Sequence, residues 1–336
     1  MLRTAIYGAG HWGARLIASV QGKSPKIGFV TAITRDPAGK RAVADRFGLA
    51  LTDSYEAVLA DSAIGAVVLC TPHSQHAADI IAAAKAGKHV FVEKPFTLTR
   101  EDAETAIAAC KAAGVTLHVG FNRRYAPAYV DMAARIAKGG IGLLRHIEGQ
   151  FSGPPSYQIE PDNWRSNRIE SPGGSMTARG VHVIDSMVNI AGLIDSVFAV
   201  SAKLQLDIDV DDTTACLLRF KSGATGMLAT LHATSQFYRI HAFGSKGALE
   251  MRGETELLAS DLAGNTQRVV FDVVDKERAE LEDFADAVSG GVNFVIPPDE
   301  IVNNVAVMQA VAASARNGQS ISVGSSGSFS GNTVGI

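Results

Sequence analysis

The 336 residues, 46% of them hydrophobic and 19% charged, suffice for two domains with separate cores. A balance of 31 basic against 34 acidic side chains leaves a formal charge of −3, which argues against a general electrostatic grip on nucleic acid or an anionic membrane. No apolar run approaches the ~20 residues of a membrane span, and the first residues enter an apolar strand with no charged leader or cleavage site, so the expected compartment is the cytoplasm.

The first third alternates short apolar strands with amphipathic helices. Thr4–Tyr7 reads as a strand, followed by a helix with Leu16, Ile17 and Val20 on one face. Lys26–Ile33 is a second strand. Asp36 and Pro37 then open a helix that Gly48 closes. Ala66–Cys70 is a strand of the fully buried type, and Ala77, Ile80, Ile81 and Ala84 mark a helix ending at Gly87. After a strand at Val90–Val92, Thr99 and Asp102 resemble a capping box ahead of Ala103, Ile107 and Cys110, with Val115–Val119 as the next strand. Strands alternating with helices of this length predict crossover units and a parallel sheet over 1–121.

Beyond residue 122 the rhythm changes. Helical patterns at Ala128–Ala137 and Val181–Ala191 separate strand-like runs at Leu144–Phe151 and Val197–Leu206. Thr213–Phe220 and Ala224–Ala233 flank Lys221-Ser222-Gly223, a hairpin signal. Helices with apolar faces follow at Leu281, Phe284 and Val288, and at Ile301, Val305 and Met308. The expectation is a second unit over 122–324, with a mostly antiparallel sheet covered by helices on one face, then a Ser/Gly-rich, mobile tail over 325–336. Cys70, Cys110 and Cys216 form no CxxC pair and suit a reducing compartment. His73 and His76 have no carboxylate or cysteine to complete a metal set, so no metal is expected.

Gly8-Ala-Gly10-His11-Trp12-Gly13 lies between the first strand and the first helix, the context that gives a GxGxxG pattern meaning. One glycine makes the tight turn, one lets backbone approach a pyrophosphate, and one lets helix and sheet pack closely. The helix amino terminus adds free N–H groups and partial positive charge. NAD sites usually carry an acidic residue at the end of the second strand. Thr34 and Arg35 stand there instead, with Asp36 taken up as a cap. A hydroxyl and a guanidinium suit a 2′-phosphate, so NADP is expected, with NAD as the alternative.

Several ordered segments resemble the glucose–fructose oxidoreductase, inositol dehydrogenase and MocA family. They are the glycine loop, Thr71-Pro72-His73-Ser74-Gln75-His76, Ala86–Val90, Glu93-Lys94-Pro95, Gly120–Arg124, Gly173-Gly174 with Gly180-Val181-His182 and Asp185, Asp211–Thr213, and Glu280–Val288. Together they cover nearly the whole chain. The resemblance implies an N-terminal Rossmann doubly wound parallel sheet and a C-terminal mostly antiparallel open sheet. It implies an oxidoreductase moving a hydride between nicotinamide and a hydroxyl or carbonyl of a sugar, cyclitol, sugar acid or cyclic diol. Two other readings of the scaffold stay open: an NAD-dependent glycosidase and a non-enzymatic dinucleotide-binding regulator. A homodimer or homotetramer is implied, paired through the open face of the second sheet.

On the same resemblance Thr71, Pro72, His76, Glu93, Trp164 and Arg165 adjoin the cofactor, and Pro95 fixes a turn that is often cis in the family. Lys94 is the expected acid–base group, since a hydroxyl that loses hydride must also lose a proton. His182 is the second catalytic group. Asp185, three residues on, shares its helix face and is expected to hold one imidazole nitrogen. One departure stands out: an acidic residue is common four positions before this histidine, and here the position is Ala178, which carries no proton. Arg123, Tyr125, Thr177 and Arg179 are expected at the substrate, with Trp164, Arg165 and Arg168 nearby. Several arginines at one pocket point to a carboxylate or phosphate on it, although Glu160, Asp162 and Glu170 are available to pair with some of them.

Overall fold

The computed structural model describes residues 1–154 and 163–324; Glu160, Asp162 and the tail lie outside the described residues. The first sheet contains β1 (Leu2–Tyr7), β2 (Ile27–Ile33), β3 (Ala50–Thr52), β4 (Ala66–Leu69), β5 (His89–Glu93) and β6 (Leu117–Gly120). All pairs are parallel, in the order β3-β2-β1-β4-β5-β6. The connecting helices are α1 (His11–Val20), α2 (Arg41–Phe47), α3 (Tyr55–Ala60), α4 (His76–Lys85) and α5 (Arg100–Ala113). Alternate residues feed two cores: Ala5, Val67 and Val90 on one face, Ile6, Val68 and Phe91 on the other. Burial on both faces is what a doubly wound parallel sheet requires, and it explains the near-continuous apolar runs. The order reverses between β1 and β4, which opens a crevice at their carboxyl ends.

The second sheet has the order β14-β13-β12-β11-β7-β10-β9-β8-β15. Its strands are β7 (Leu144–Ser152), β8 (Ile194–Ala202), β9 (Thr213–Phe220), β10 (Thr225–Leu231), β11 (Phe237–Gly244), β12 (Gly247–Arg252), β13 (Glu256–Asp261), β14 (Thr266–Val270) and β15 (Ile321–Ser322). β7 and β10 pair in parallel and the other pairs are antiparallel. The helices α6 (Pro127–Ala137), α7 (Val181–Ala191) and α9 (Pro298–Asn317) pack against one face. Side chains of α9 fasten β8: Asn303 Oδ1 accepts from Ile194 N at 2.9 Å and Ser314 Oγ from Ala199 N at 2.8 Å. Phe198, Val200, Leu217 and Met227 lie exposed on the open face.

Three expectations need correction. Strand β8 ends at Ala202 rather than Leu206, because the Asp212 carboxylate takes the N–H groups of Leu204, Gln205 and Leu206 and bends the chain into a turn. The strands β11 to β14 were not foreseen; β14 is an edge strand with no fully buried residue, so its sequence lacks an apolar alternation. The helix α8 (Lys276–Gly290), expected in the second unit, buries Leu281 and Phe284 in the first sheet's core beside Phe91. It thereby carries Glu277 and Glu280 beneath the crevice.

The 3-10 turn after β6 joins α7 and α9 through a buried ion cluster. Arg124 donates through Nε and Nη2 to both oxygens of Asp185 at 2.7–3.1 Å, and through Nη2 to Glu300 at 2.7 Å. Asp185 is 2% exposed. Arg124→Met strands that carboxylate without a partner, and denaturant unfolding should register a loss of ~3–5 kcal/mol. The pair Arg124→Met with Asp185→Leu should recover most of it.

Candidate active site

The glycine turn is dictated by close backbone contacts. Gly8 has φ +103°, and a Cβ there would sit 2.5 Å from Cys70 O; a Cβ on Gly13 would lie 2.1 Å from Gly8 O. A Cβ on Gly10 meets nothing within 4 Å. Gly10 caps α1 without a side-chain hydrogen bond, and no acidic residue occupies the first turn. Uncapped amides facing open space fit a dinucleotide pyrophosphate. Thr34 and Arg35 follow the end of β2, where Thr34 N donates to Thr52 O and Thr34 Oγ1 accepts from Asp36 N. Asp36 Oδ1 accepts from Gly39 N at 2.9 Å, so its carboxylate is engaged as expected. Arg35 is exposed.

A cavity of about 260 Å³ runs from His11 and Trp12 across the crevice to the second sheet. Lys94 follows β5, and its Nζ donates to Ala178 O at 2.7 Å, bridging the two units. The Lys94–Pro95 peptide is cis. Desolvation in the crevice pushes the Lys94 amine down to about 8, with Arg165, Arg123 and Arg179 adding to the shift and Glu93 opposing it. Glu93 Oε1 accepts from Trp12 Nε1 at 2.5 Å, and Oε2 from Lys94 N at 3.3 Å. Burial pushes Glu93 up to about 7.

The turn after β4 is built by histidines. Pro72 precedes a 3-10 turn, His73–Gln75, and Thr71 Oγ1 donates to Asp79 Oδ2 at 2.8 Å. His76 is fully buried, with Nδ1 against Pro95 O and Phe96 O and Nε2 against Thr71 O. Both nitrogens face backbone carbonyls, so His76 positions the Lys94 loop and has no nitrogen left for a cofactor. His73 Nδ1 lies 2.7 Å from Glu170 O, and its ring meets Trp164 edge-on at 4.8 Å. Arg165 stacks on Trp164 at 3.9 Å and reaches the cavity. Glu170, foreseen as an arginine partner, instead binds the Ser74 N–H and hydroxyl.

On the far wall, one wide π-type turn (Met176–Gly180) leads into α7 and presents Thr177, Ala178 and Arg179 to the cavity. Thr177 Oγ1 accepts from Gly173 N at 3.0 Å. Arg123 pairs with Glu254 and lies over the Phe151 and Tyr238 rings at 5.0 and 5.7 Å. His182 is 6% exposed and its Nδ1 has no hydrogen-bond partner among the described residues. Burial, with Lys94, Arg123 and Lys276 nearby, drives its pKa far down and leaves it neutral.

Asp185 does not hold His182. Both share α7, but Arg124 takes both carboxylate oxygens. Tyr125 does not face the cavity: its hydroxyl donates to Asp283 at 2.6 Å and lies 3.0 Å from His118 Nε2. Arg168 pairs with Asp211 and Asp209 outside it. The cavity also gathers groups not foreseen, namely Phe151, His232, Asn122, Arg15 and Glu277. Asn122 Nδ2 donates to Glu277 Oε1 at 3.1 Å, and Arg15 pairs with the same oxygen at 2.9 Å. Asn122 lay inside a quoted motif, whereas no local pattern marks His232 or Glu277.

Residues 2–121 match the model of an oxidoreductase family with an NAD-binding Rossmann fold, and residues 129–250 match a GFO/IDH/MocA C-terminal domain. The chain is 31% identical over 303 residues to D-xylose 1-dehydrogenase (NADP(+)) 2 of Haloferax volcanii, covering 86% of this chain and 90% of the relative. It is 30% identical to scyllo-inositol 2-dehydrogenase (NAD(+)) of Bacillus subtilis, over 95% of this chain and 96% of that one. Levoglucosan dehydrogenase in complex with NADH and L-sorbose superposes with a TM-score of 0.87 at 23% identity, covering 96% of this chain and 98% of that one, a likeness of fold.

Gly13→Ala tests the turn. Because its Cβ would strike backbone, we expect ~1–3 kcal/mol of destabilisation in a urea melt, with weakened dinucleotide binding by calorimetry.

Proposed function

The chain belongs to the GFO/IDH/MocA oxidoreductase family, and on that premise we propose that it oxidises or forms a secondary hydroxyl of a sugar or cyclitol, with Lys94 as the acid–base group. The observation that carries the reading is the Lys94 amine, lowered toward neutrality at the carboxyl end of β5 and aimed across the crevice at Ala178 O. The glycine turn and the α1 amino terminus would hold the dinucleotide phosphates. Glu93 with Trp12 would flank its nicotinamide half. When bound, the nicotinamide supplies the hydride acceptor or donor.

The chain's own groups handle the proton. Neutral Lys94 donates one N–H to Ala178 O, which orients Nζ and leaves its lone pair to take the substrate hydroxyl proton. His182, neutral and without a partner at Nδ1, is set to bond the same oxygen. With alanine at 178, the proton on Lys94 leaves through water in the crevice rather than through a carboxyl group. The exposed apolar face of the second sheet supports pairing of copies there.

Lys94→Ala should lower kcat by at least ~100-fold. In the intact enzyme, oxidation needs the unprotonated amine and should rise with pH through about 8, while reduction needs the ammonium and should fall over the same range. A flat profile for both directions removes Lys94 from the proton step.

The pair Thr34 and Arg35, with Asp36 engaged elsewhere, supports a preference for NADP. Loss of a guanidinium–phosphate contact in Arg35→Ala should weaken NADP by about tenfold or more and NAD far less, as read by calorimetric titration of both.

A further inference from the structure

Buried acceptors without donors gather beneath the crevice. Helix α8 packs against β5 and α1 and brings Glu280 into the field of Glu93. Glu280 is fully buried, and neither of its carboxyl oxygens has a hydrogen-bond partner among the described residues. Asn122, 2% exposed, donates through Nδ2 to Glu277, and its Oδ1 likewise has no donor. Arg123 Nε is a buried donor, but it too is without a partner and so reaches neither oxygen of Glu280. An ionised carboxylate can only accept, and unpaired in a dry site it is costly; the protonated acid brings a donor of its own.

The surrounding charges point the same way. Burial raises the Glu280 carboxyl far above its usual range and Glu93 and Glu277 add to that, while Arg123 and Lys276 oppose it. Both of those cations pair with Glu254, and Glu277 pairs with Arg15. The other titratable groups near the floor are neutral or engaged: burial pushes the Cys70 thiol up, Tyr125 donates to Asp283, and burial pushes His118 down to about 4. Glu93 differs in having donors. Its Oε1 accepts from Trp12 and its Oε2 from the Lys94 N–H. A Cβ on Gly120, its register partner on β6, would lie 2.9 Å from Oε1, so the glycine leaves room for this carboxyl. Burial raises Glu93, the Trp12 N–H and Lys94 lower it, Glu277 raises it, and the balance falls at about 7.

The nicotinamide ring carries a positive charge when oxidised and none when reduced, and a carboxyl beside it answers to that difference. We propose that Glu280 stands as a protonated acid beneath the crevice and that Glu93 follows the charge of the cofactor, giving one proton to crevice water when the oxidised form binds and keeping it when the reduced form binds. The inference rests on the hydride-transfer reading above and adds to it a residue that tells the two redox states apart. Glu280 is the positioning residue. A second ionised carboxyl at 280 would keep Glu93 protonated well above neutrality, and the discrimination would vanish at neutral pH. The oxidised form lowers the pKa of Glu93, so its affinity rises with pH toward about 7 and levels off once Glu93 is ionised before binding.

The test is calorimetric titration of the intact protein with NADP and NADPH, or with NAD and NADH if that pair binds more tightly, across a range of pH. The ratio of the two affinities cancels the titration of the cofactor's own phosphate, which both forms share. It should shift toward the oxidised form by about tenfold between pH about 5 and about 7.5. Buffers of unlike ionisation heat should show more proton release with the oxidised form than with the reduced one over that range. Glu93→Gln should remove this step and leave any step near 8, which belongs to Lys94, whereas Lys94→Met should leave the step near 7 in place. Glu280→Gln copies the protonated acid and should not move the step; loss of an ionised neighbour would lower it by about a unit or more. An infrared carboxylic-acid C=O band at pH about 8.5 that is lost in Glu280→Gln should mark the buried acid. A flat ratio, a step that survives Glu93→Gln, or a step displaced by Glu280→Gln would each overturn the proposal. If Glu280→Gln does not fold, the intact chain decides, since the absence of any acid band at that pH overturns it. Binding of both redox forms at a flat ratio would leave the hydride-transfer reading standing and sink only this one. Binding of neither form would sink that reading, and this one with it.

Discussion

Lys94 donates a hydrogen bond to Ala178 O from one side of a crevice to the other, and the geometry of the site follows from that bridge. The amine is carried at the end of a buried parallel strand. Its backbone is tied to Glu93, Glu93 to Trp12, and the loop beyond it to His76. The acceptor hangs from the π-type turn ahead of α7. Neither half alone places Nζ, because a lysine side chain has four rotatable bonds and only a partner at its tip selects one arrangement.

Basic side chains outnumber carboxylates along the described lining of the cavity, where Glu93 adjoins Lys94, Glu277 pairs with Arg15 and Glu254 pairs with Arg123. Other described acids nearby are directed elsewhere: Glu170 to Ser74, Asp185 and Glu300 to Arg124, Asp211 to Arg168. The consequences are a lysine pushed toward its neutral form and two neutral histidines, His182 and His232. Each stays uncharged for the same reason, since burial and neighbouring cations both oppose another positive charge.

Much of the architecture was legible because it obeys local periodicity. Strand and helix patterns over the first 121 residues, the hairpin at Lys221–Gly223, and α7 over Val181–Ala191 follow alternation or helical spacing. The strands β11 to β14 were missed where charged residues such as Arg239, Glu250, Arg252 and Glu256 interrupt the apolar signal. The site was legible where a residue lies in an ordered motif. Lys94, Trp12, Glu93, Thr177, Arg179 and His182 all line the cavity, as does Arg123. Asp185 and Tyr125 were misread because helix spacing says which residues share a face, while the partner they choose is set by Arg124 and Asp283 from distant segments.

The sequence by itself determined the alternating strand–helix order, the glycine turn whose Cβ-free positions let backbone pack on backbone, and the presence of lysine, histidine and arginine in the segments that meet at the crevice. Those are properties of short stretches, written in spacing and residue type. Only the tertiary structure decided that α8 joins the first core, that Asp185 serves Arg124 and leaves His182 alone, and that His232 faces the cavity beside Arg179. Such pairings connect residues dozens to hundreds of positions apart, and they are chosen by which buried charge or polar atom finds a partner when the two sheets close on each other.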